Sequence, residues 1–170
     1  MRKLKANEIE CRIGQVKKDA SGNPKGLTLL LYKDARCDMD ILDETFGPLG
    51  WKRIHSRDNA NCVVSVWDKV NQHWVEKEDV GTASNTEAEK GLASDSFKRA
   101  CVNWGIGREL YSAPFIWIPA EKVKMIQVNG KATTMDKFAV SKIEYNSEGE
   151  ICELKIVNEK TKAEVYSWRG

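Results

Sequence analysis

The sequence predicts an α+β fold: an antiparallel β-β-β-α core, meaning a three-stranded meander packed on one long helix, with an extra short helix before it and a C-terminal β-meander after it. Three observations lead there. Between 51 and 80, side chains alternate with period two in three runs broken by turn residues; between 86 and 104 the apolar period is helical; between 138 and 168 three more strand-like runs follow. At 170 residues and 41% hydrophobic, the chain is long enough for one well-buried core and short for two, so one domain over 1–170 is expected, its core about 27–119 and its second meander about 138–168.

In order, 8–16 mixes Ile and Val with polar residues and reads as a strand. It runs into 19–26, where Ser21-Gly22-Asn23-Pro24-Lys25-Gly26 is a loop by turn chemistry, and 27–32 is a second strand. Asp34 is the expected N-cap of a short amphipathic helix with Ala35, Met39, Leu42 and Phe46 at helical spacing, stopped by Gly47-Pro48. From 51 to 57 the alternation puts Trp51, Arg53, His55 and Arg57 on one strand face and Lys52, Ile54 and Ser56 on the other. Strands at 62–70 and 73–80 join through a turn around Asn71, and the last carries Glu76, Glu78 and Asp79, an acidic stretch ill suited to phosphate. The long helix 86–104 aligns Ala93, Phe97, Ala100, Cys101 and Trp104 and ends at Gly105. After Pro114 and Pro119, 120–136 reads as a lysine-containing linker. Strands follow at 138–145, 151–157 and 163–168, with turns at Asn146-Ser147-Glu148-Gly149 and 158–162.

Composition narrows the function. With 27 basic and 25 acidic residues the net charge is only +2, so a nucleic-acid site has to arise from local clustering. No apolar run nears the roughly 20 residues of a membrane helix, and the basic start lacks a cleavable leader, so a cytoplasmic protein with no membrane partner is expected. Five scattered cysteines without a C-x-x-C pair read as reduced, buried thiols. His55 and His73 meet no nucleophile or ligand cluster, so neither metal nor catalytic residues are expected and the chain reads as a non-enzyme. Gly130-Lys131 is followed by Ala132 and has no upstream glycine, so there is no nucleotide-binding P-loop and no cofactor is expected.

One segment is far more specific than these patterns. Glu78-Asp79-Val80-Gly81, then Asn85, then Glu87-Ala88-Glu89-Lys90-Gly91-Leu92-Ala93-Ser94-Asp95-Ser96-Phe97-Lys98-Arg99-Ala100, ending Asn103-Trp104-Gly105-Ile106-Gly107-Arg108-Glu109-Leu110-Tyr111, resembles the signature of single-strand annealing proteins of the Rad fifty-two superfamily in their phage, Sak-like form. Phe46-Gly47-Pro48-Leu49-Gly50-Trp51 also resembles that family's helix-to-strand turn, so the resemblance covers about 27–119. It implies the β-β-β-α core, a ring or helical homo-oligomer of many subunits, and single-stranded DNA held in a basic groove. It also implies annealing of complementary strands without ATP in homologous recombination and DNA repair, inside the cytoplasm of a phage-infected bacterium, with a single-strand-binding protein as a further partner.

By the same resemblance, Lys98 and Arg99 point into the DNA groove. Pattern alone makes them a solvated helix face, with Arg99 paired to Asp95 or Glu89 at helical spacing. Arg53 and Arg57, beside Trp51 and His55, combine charges for phosphates with an aromatic surface for bases, against the plainer reading of an exposed strand face. Arg36 lies one residue out of register with a DNA-contacting arginine of the family. Arg108 is a weaker phosphate candidate beside glycines read as a helix cap and turn. Phe97, Trp104 and Tyr111 are expected in the core or in subunit packing. Val102 stands where some relatives carry a further basic residue, leaving Lys122, Lys124 and Lys131 as possible replacements. Two rival readings are a small structural or double-stranded-RNA-binding module without annealing activity, and a nuclease, which the lack of a carboxylate cluster argues against.

Overall fold

The computed structural model describes residues 1–82 and 88–170, and the side chains of all of these except 88–90. In chain order the elements are β1 (Ile9–Lys18), β2 (Pro24–Lys33), α1 (Ala35–Phe46), β3 (Trp51–Ser56), β4 (Asn61–Asp68), β5 (His73–Val80), α2 (Ala88–Asn103), β6 (Ile116–Pro119), β7 (Met125–Val128), β8 (Lys131–Thr134), β9 (Phe138–Tyr145), β10 (Ile151–Asn158) and β11 (Glu164–Arg169). Strand pairings are antiparallel. Among the described residues, no helix is long and apolar enough to cross a membrane. The expected helix start at Thr86, and Asn85 and Glu87 of the signature, lie outside the described residues.

The chain divides into two compact units: Met1–Leu4 with Lys33–Arg108, and Lys5–Tyr32 with Glu109–Gly170. The first holds α1, the sheet β3-β4-β5 and α2. Asp34 caps α1 by accepting from the Arg36 amide at 2.6 Å, and Gly47, at φ 79°, closes it. Its buried face differs from the expected one. Cys37, Asp38, Ile41 and Leu42 are inside, whereas Met39 and Phe46 are only partly covered. The face is turned because a lysine draws the Asp38 carboxylate inward, which a hydrophobic pattern does not register.

In the sheet, Trp51 pairs with Val66, Arg53 with Val64 and His55 with Cys62, while Val64 pairs with Lys77 and Cys62 with Asp79. This set of alternate residues forms the face toward α2. Phe97 stacks on Trp51 at 6.1 Å, and Cys62, Val64, Phe97, Ala100 and Cys101 are buried between sheet and helix. Arg57 does not extend the strand face as expected. It has φ 52° in a turn closed by Ala60 N–H donating to Arg57 O at 3.0 Å, so the chain reverses before its side chain joins the Arg53 row. The β4–β5 turn is anchored by Asp68, which accepts from Val70 and Asn71 amides, and its left-handed residue is Gln72 rather than Asn71. At the end of α2, Gly105 (φ 93°) completes a Schellman arrangement: Gly105 N–H donates to Val102 O at 2.9 Å and Ile106 N–H to Cys101 O at 3.1 Å.

The second unit carries a six-stranded sheet ordered β11-β10-β9-β1-β2-β6 and the separate hairpin β7–β8. The three last strands match the expected meander closely, but they continue a larger sheet instead of standing alone. The expected loop 19–26 ends early. Asp19 accepts from Ser21 and Asn23 amides in a tight turn, and Pro24, Lys25 and Gly26 already belong to β2. Gly26 fits there because a side chain would collide with the Trp117 ring and Ile118 O of β6. The stretch 120–136, expected as linker, contains β7 and β8 around Asn129-Gly130, both at positive φ as a two-residue hairpin turn requires.

Candidate nucleic-acid interface

Three of the six sequence-selected cations, Arg36, Lys98 and Arg53, lie on α1, α2 and β3 of the first unit. Arg36, in the first turn of α1, donates from Nη2 to Asp34 Oδ2 at 3.1 Å and from Nε to Oδ1 at 3.1 Å. Those bonds, with help from the nearby Lys98 charge, hold the Asp34 carboxyl below its usual range. Lys98, half-buried on α2, also acts on Asp38. Arg53 on β3 lies over the Phe97 ring at 4.4 Å, a cation–π contact made by the residue just before Lys98. Arg53, Lys33 and Asp38 all act on the Cys101 thiol, whose titration is pushed upward mainly by burial. His55, on the same strand face, lies with Nδ1 3.4 Å from Ser96 Oγ, and burial and then Arg53 lower its pKa.

Next to Lys98 is a buried pair the sequence reading missed. Lys33, the last residue of β2, is 5% exposed and Asp38 is 0% exposed. The ammonium donates to Asp38 Oδ1 and, at 3.2 Å, to the backbone carbonyl of Lys98. Burial raises the Asp38 pKa to about 6 against the opposing pull of Lys33 and Lys98, and its Oδ2 is buried without a hydrogen-bond partner. The legible signal is spacing: counting Asp38 as an inside residue turns 37, 38, 41 and 42 into a clean helical stripe.

The remaining candidates go elsewhere. Consecutive helix residues diverge by about 100°, so Arg99 leaves Lys98 and faces β5, with Nε 3.5 Å from Asp79 Oδ1. Of the helical-spacing partners expected for Arg99, the Glu89 side chain lies outside the described residues, and Asp95 accepts from the Thr82 amide at 2.9 Å. Arg108 donates to Val102 O at 3.0 Å and Asn103 O at 3.1 Å, capping α2, and Lys77 donates to Asn103 O at 2.9 Å. Arg57 stays exposed in its turn. In the second unit Lys122 donates to Val165 O at 3.3 Å, while Lys124 and Lys131 are exposed.

The aromatics divide similarly. Trp51 Nε1 donates to Asp43 Oδ1 at 2.6 Å and Trp104 Nε1 to Val64 O at 3.1 Å, so both indoles are fixed inside the unit. Tyr111, expected in core or packing, is 75% exposed because it follows the helix end in a short 3-10 turn, Arg108–Ser112. Among the described residues, no group of three or more His, Cys, Asp or Glu is placed to hold a metal.

A family model described as Rad52/22 family double-strand break repair protein matches residues 1–129, and the chain belongs to that family. A curated relative, the single-stranded DNA-binding protein DdrA of Deinococcus radiodurans, is 36% identical over 91 residues. The match takes in 52% of this chain and 43% of DdrA, so it spans less than half the length of that relative. No solved structure matches the chain at a significant level.

Proposed function

We propose that the protein binds single-stranded DNA and anneals complementary strands without ATP in recombination or repair, as a phage-type member of its family acting in the cytoplasm. What supports this is a chain of links among cations of one unit, within the residues matched by the family model: Lys98 acts on Asp34, the partner of Arg36, and Arg53 covers the ring of Phe97, the residue before Lys98, so we read the three as one edge. Such an edge suits a single strand: fixed cations neutralise phosphates, and releasing their counterions supplies sequence-independent affinity. The β3-β4-β5-α2 assembly serves as the annealing core, and the whole chain acts as one functional domain.

A ring or helix of many subunits joins these edges into a continuous groove. The strand lies with its backbone inward and its base edges outward. Holding it extended lowers the ordering cost of pairing, and phosphate neutralisation lowers repulsion from the incoming strand. No covalent bond changes, so the protein is not an enzyme and requires no cofactor. Arg99 and Arg57 provide secondary contacts along the strand, and a single-strand-binding protein supplies the DNA to be annealed.

The test is ATP-free annealing of complementary oligonucleotides, together with binding of a labelled single strand over a salt series and mass in solution. Wild type should anneal, assemble into a large oligomer and prefer single strands to duplex. Lys98→Ala should shallow the salt dependence by about 0.7 in the log–log slope, the value of one single-strand phosphate contact. A wild-type protein that neither binds nor anneals single strands would remove the functional reading. Equal slopes for wild type and folded Lys98→Ala would remove Lys98 from the site.

A further inference from the structure

The buried Lys33–Asp38 pair sits where stability alone does not call for it. Well-packed apolar residues of similar volume commonly replace a buried ion pair with no loss, or with a gain, in stability. Here the pair reaches Lys98 of the proposed DNA edge directly. Lys33 spends its second hydrogen bond on the carbonyl of Lys98, a helix-interior carbonyl that already faces the amide four residues on. The lysine stem is guided there by Gly107, where an added Cβ would stand 2.5 Å from Lys33 Cδ and Cε. Asp38, on α1, thus fixes an ammonium that grips the turn of α2 displaying Lys98, while Arg36 projects from the turn of α1 that Asp38 occupies.

We propose that Lys33 and Asp38 are positioning residues for phosphate binding: the pair holds the Lys98 turn against the Arg36 turn, and the Asp38 carboxylate sets how much of the Lys98 charge remains for DNA. This rests on the single-stranded-DNA reading above. The groups that act on Asp38 are Lys33 from the end of β2, Asp34 from α1 and Lys98 from α2, with the Cys101 thiol of α2 coupled to it in turn. Asp34 is held low and therefore stays charged, and the Cys101 thiol is pushed high and stays neutral, so Asp38 is the member that changes charge near pH 6. A protonated Asp38 still offers Lys33 an oxygen. Acidification therefore removes a negative charge beside Lys98 while leaving the grip in place, and DNA affinity rises.

The experiment is fluorescence anisotropy of a labelled oligodeoxythymidine with the full chain, comparing wild type, Lys33→Met/Asp38→Leu, Asp38→Asn and Lys98→Ala. The double variant keeps net charge and should resist urea as well as wild type, yet bind about three- to tenfold more weakly, with a salt slope shallower by about 0.7. Asp38→Asn keeps an oxygen for Lys33 and removes the charge. It should bind about two- to threefold more tightly near neutral pH and lose the affinity gain that wild type shows on acidification through pH 6. A folded double variant with wild-type affinity and slope overturns the proposal, as does Asp38→Asn with a wild-type pH profile. If Lys98→Ala leaves binding unchanged, the DNA edge itself is misassigned. If Lys98→Ala weakens binding while the pair variants match wild type, only the positioning role falls.

Discussion

Replacing Gly107 by alanine separates backbone strain from a specific side-chain collision, because Gly105 provides a matched control. Both glycines have left-handed backbones, φ 93° at Gly105 and 71° at Gly107, where an L-residue costs about 1–2 kcal/mol. Around Gly105 an added Cβ meets nothing within 4 Å, so Gly105→Ala should cost that backbone term alone. At Gly107 the new methyl falls 2.5 Å from two carbons of the Lys33 stem. The lysine is walled in by Asp38 and the Lys98 carbonyl, so it yields only by loosening both bonds. Full rupture of a buried pair costs about 3–5 kcal/mol, and a partial shift forfeits a fraction of it. Gly107→Ala should therefore lose at least about 1.5 kcal/mol more than Gly105→Ala. Urea unfolding followed by tryptophan fluorescence suits the comparison, since Trp51, Trp67, Trp74 and Trp104 all lie in the unit concerned. Equal losses for the two alanines, with unchanged m-values, would refute the contact between Gly107 and a rigidly held lysine.

Three further outcomes follow from the same geometry. Arg108→Ala removes the guanidinium from Val102 O and Asn103 O and should cost about 1 kcal/mol in urea unfolding while leaving the salt slope of DNA binding intact; a slope reduced by a full phosphate contact would contradict the cap assignment. His55 has a lowered pKa, so the folded protein binds its proton less tightly than the unfolded chain, and its contribution to stability is lost as pH falls below the ordinary histidine value. Asp38 works the other way, its raised pKa adding stability as pH falls through about 6 toward the ordinary carboxyl value, so His55→Gln should leave a profile that gains more on mild acidification than wild type, and identical urea midpoints across pH would refute it. Burial raises the Cys62 thiol to about 11 and the Cys101 thiol further, so mass spectrometry after iodoacetamide at neutral pH should find both unmodified until the protein is unfolded, and native labelling at either would disprove their burial.

Elements bounded by local chemistry were the ones readable from the sequence. Asp34 and Gly47 mark α1, Gly105 marks the end of α2, and Asn146 through Gly149 mark the β9–β10 turn, because caps and turns act over a few residues. The hairpin β7–β8 carried an equally local signal in Asn129-Gly130, but its strands are only four residues each and the surrounding lysines resemble a linker. What depends on distant partners did not show. The inward turn of Asp38 needs Lys33, the direction of Arg99 needs Asp79 from another strand, and the merging of β9-β10-β11 with β1 needs a pairing such as Glu10 with Ala139. For the candidate interface, residue type was legible and grouping was not. Arg36, Arg53 and Lys98 stand on three different elements, while Arg57 stands in a turn and Arg108 donates to carbonyls at the end of α2.

The order of sheet β11-β10-β9-β1-β2-β6 also governs how the chain is made. Lys5–Tyr32 must wait for Glu109–Gly170, because β1 finds its neighbour β9 only after the whole intervening stretch has been synthesised. Lys33–Arg108 has no such delay, since its three strands and two helices arrive consecutively. On a ribosome the inserted unit can fold while its host is still half-translated. Vectorial synthesis thus favours completing Lys33–Arg108 before the sheet whose strands flank it in sequence.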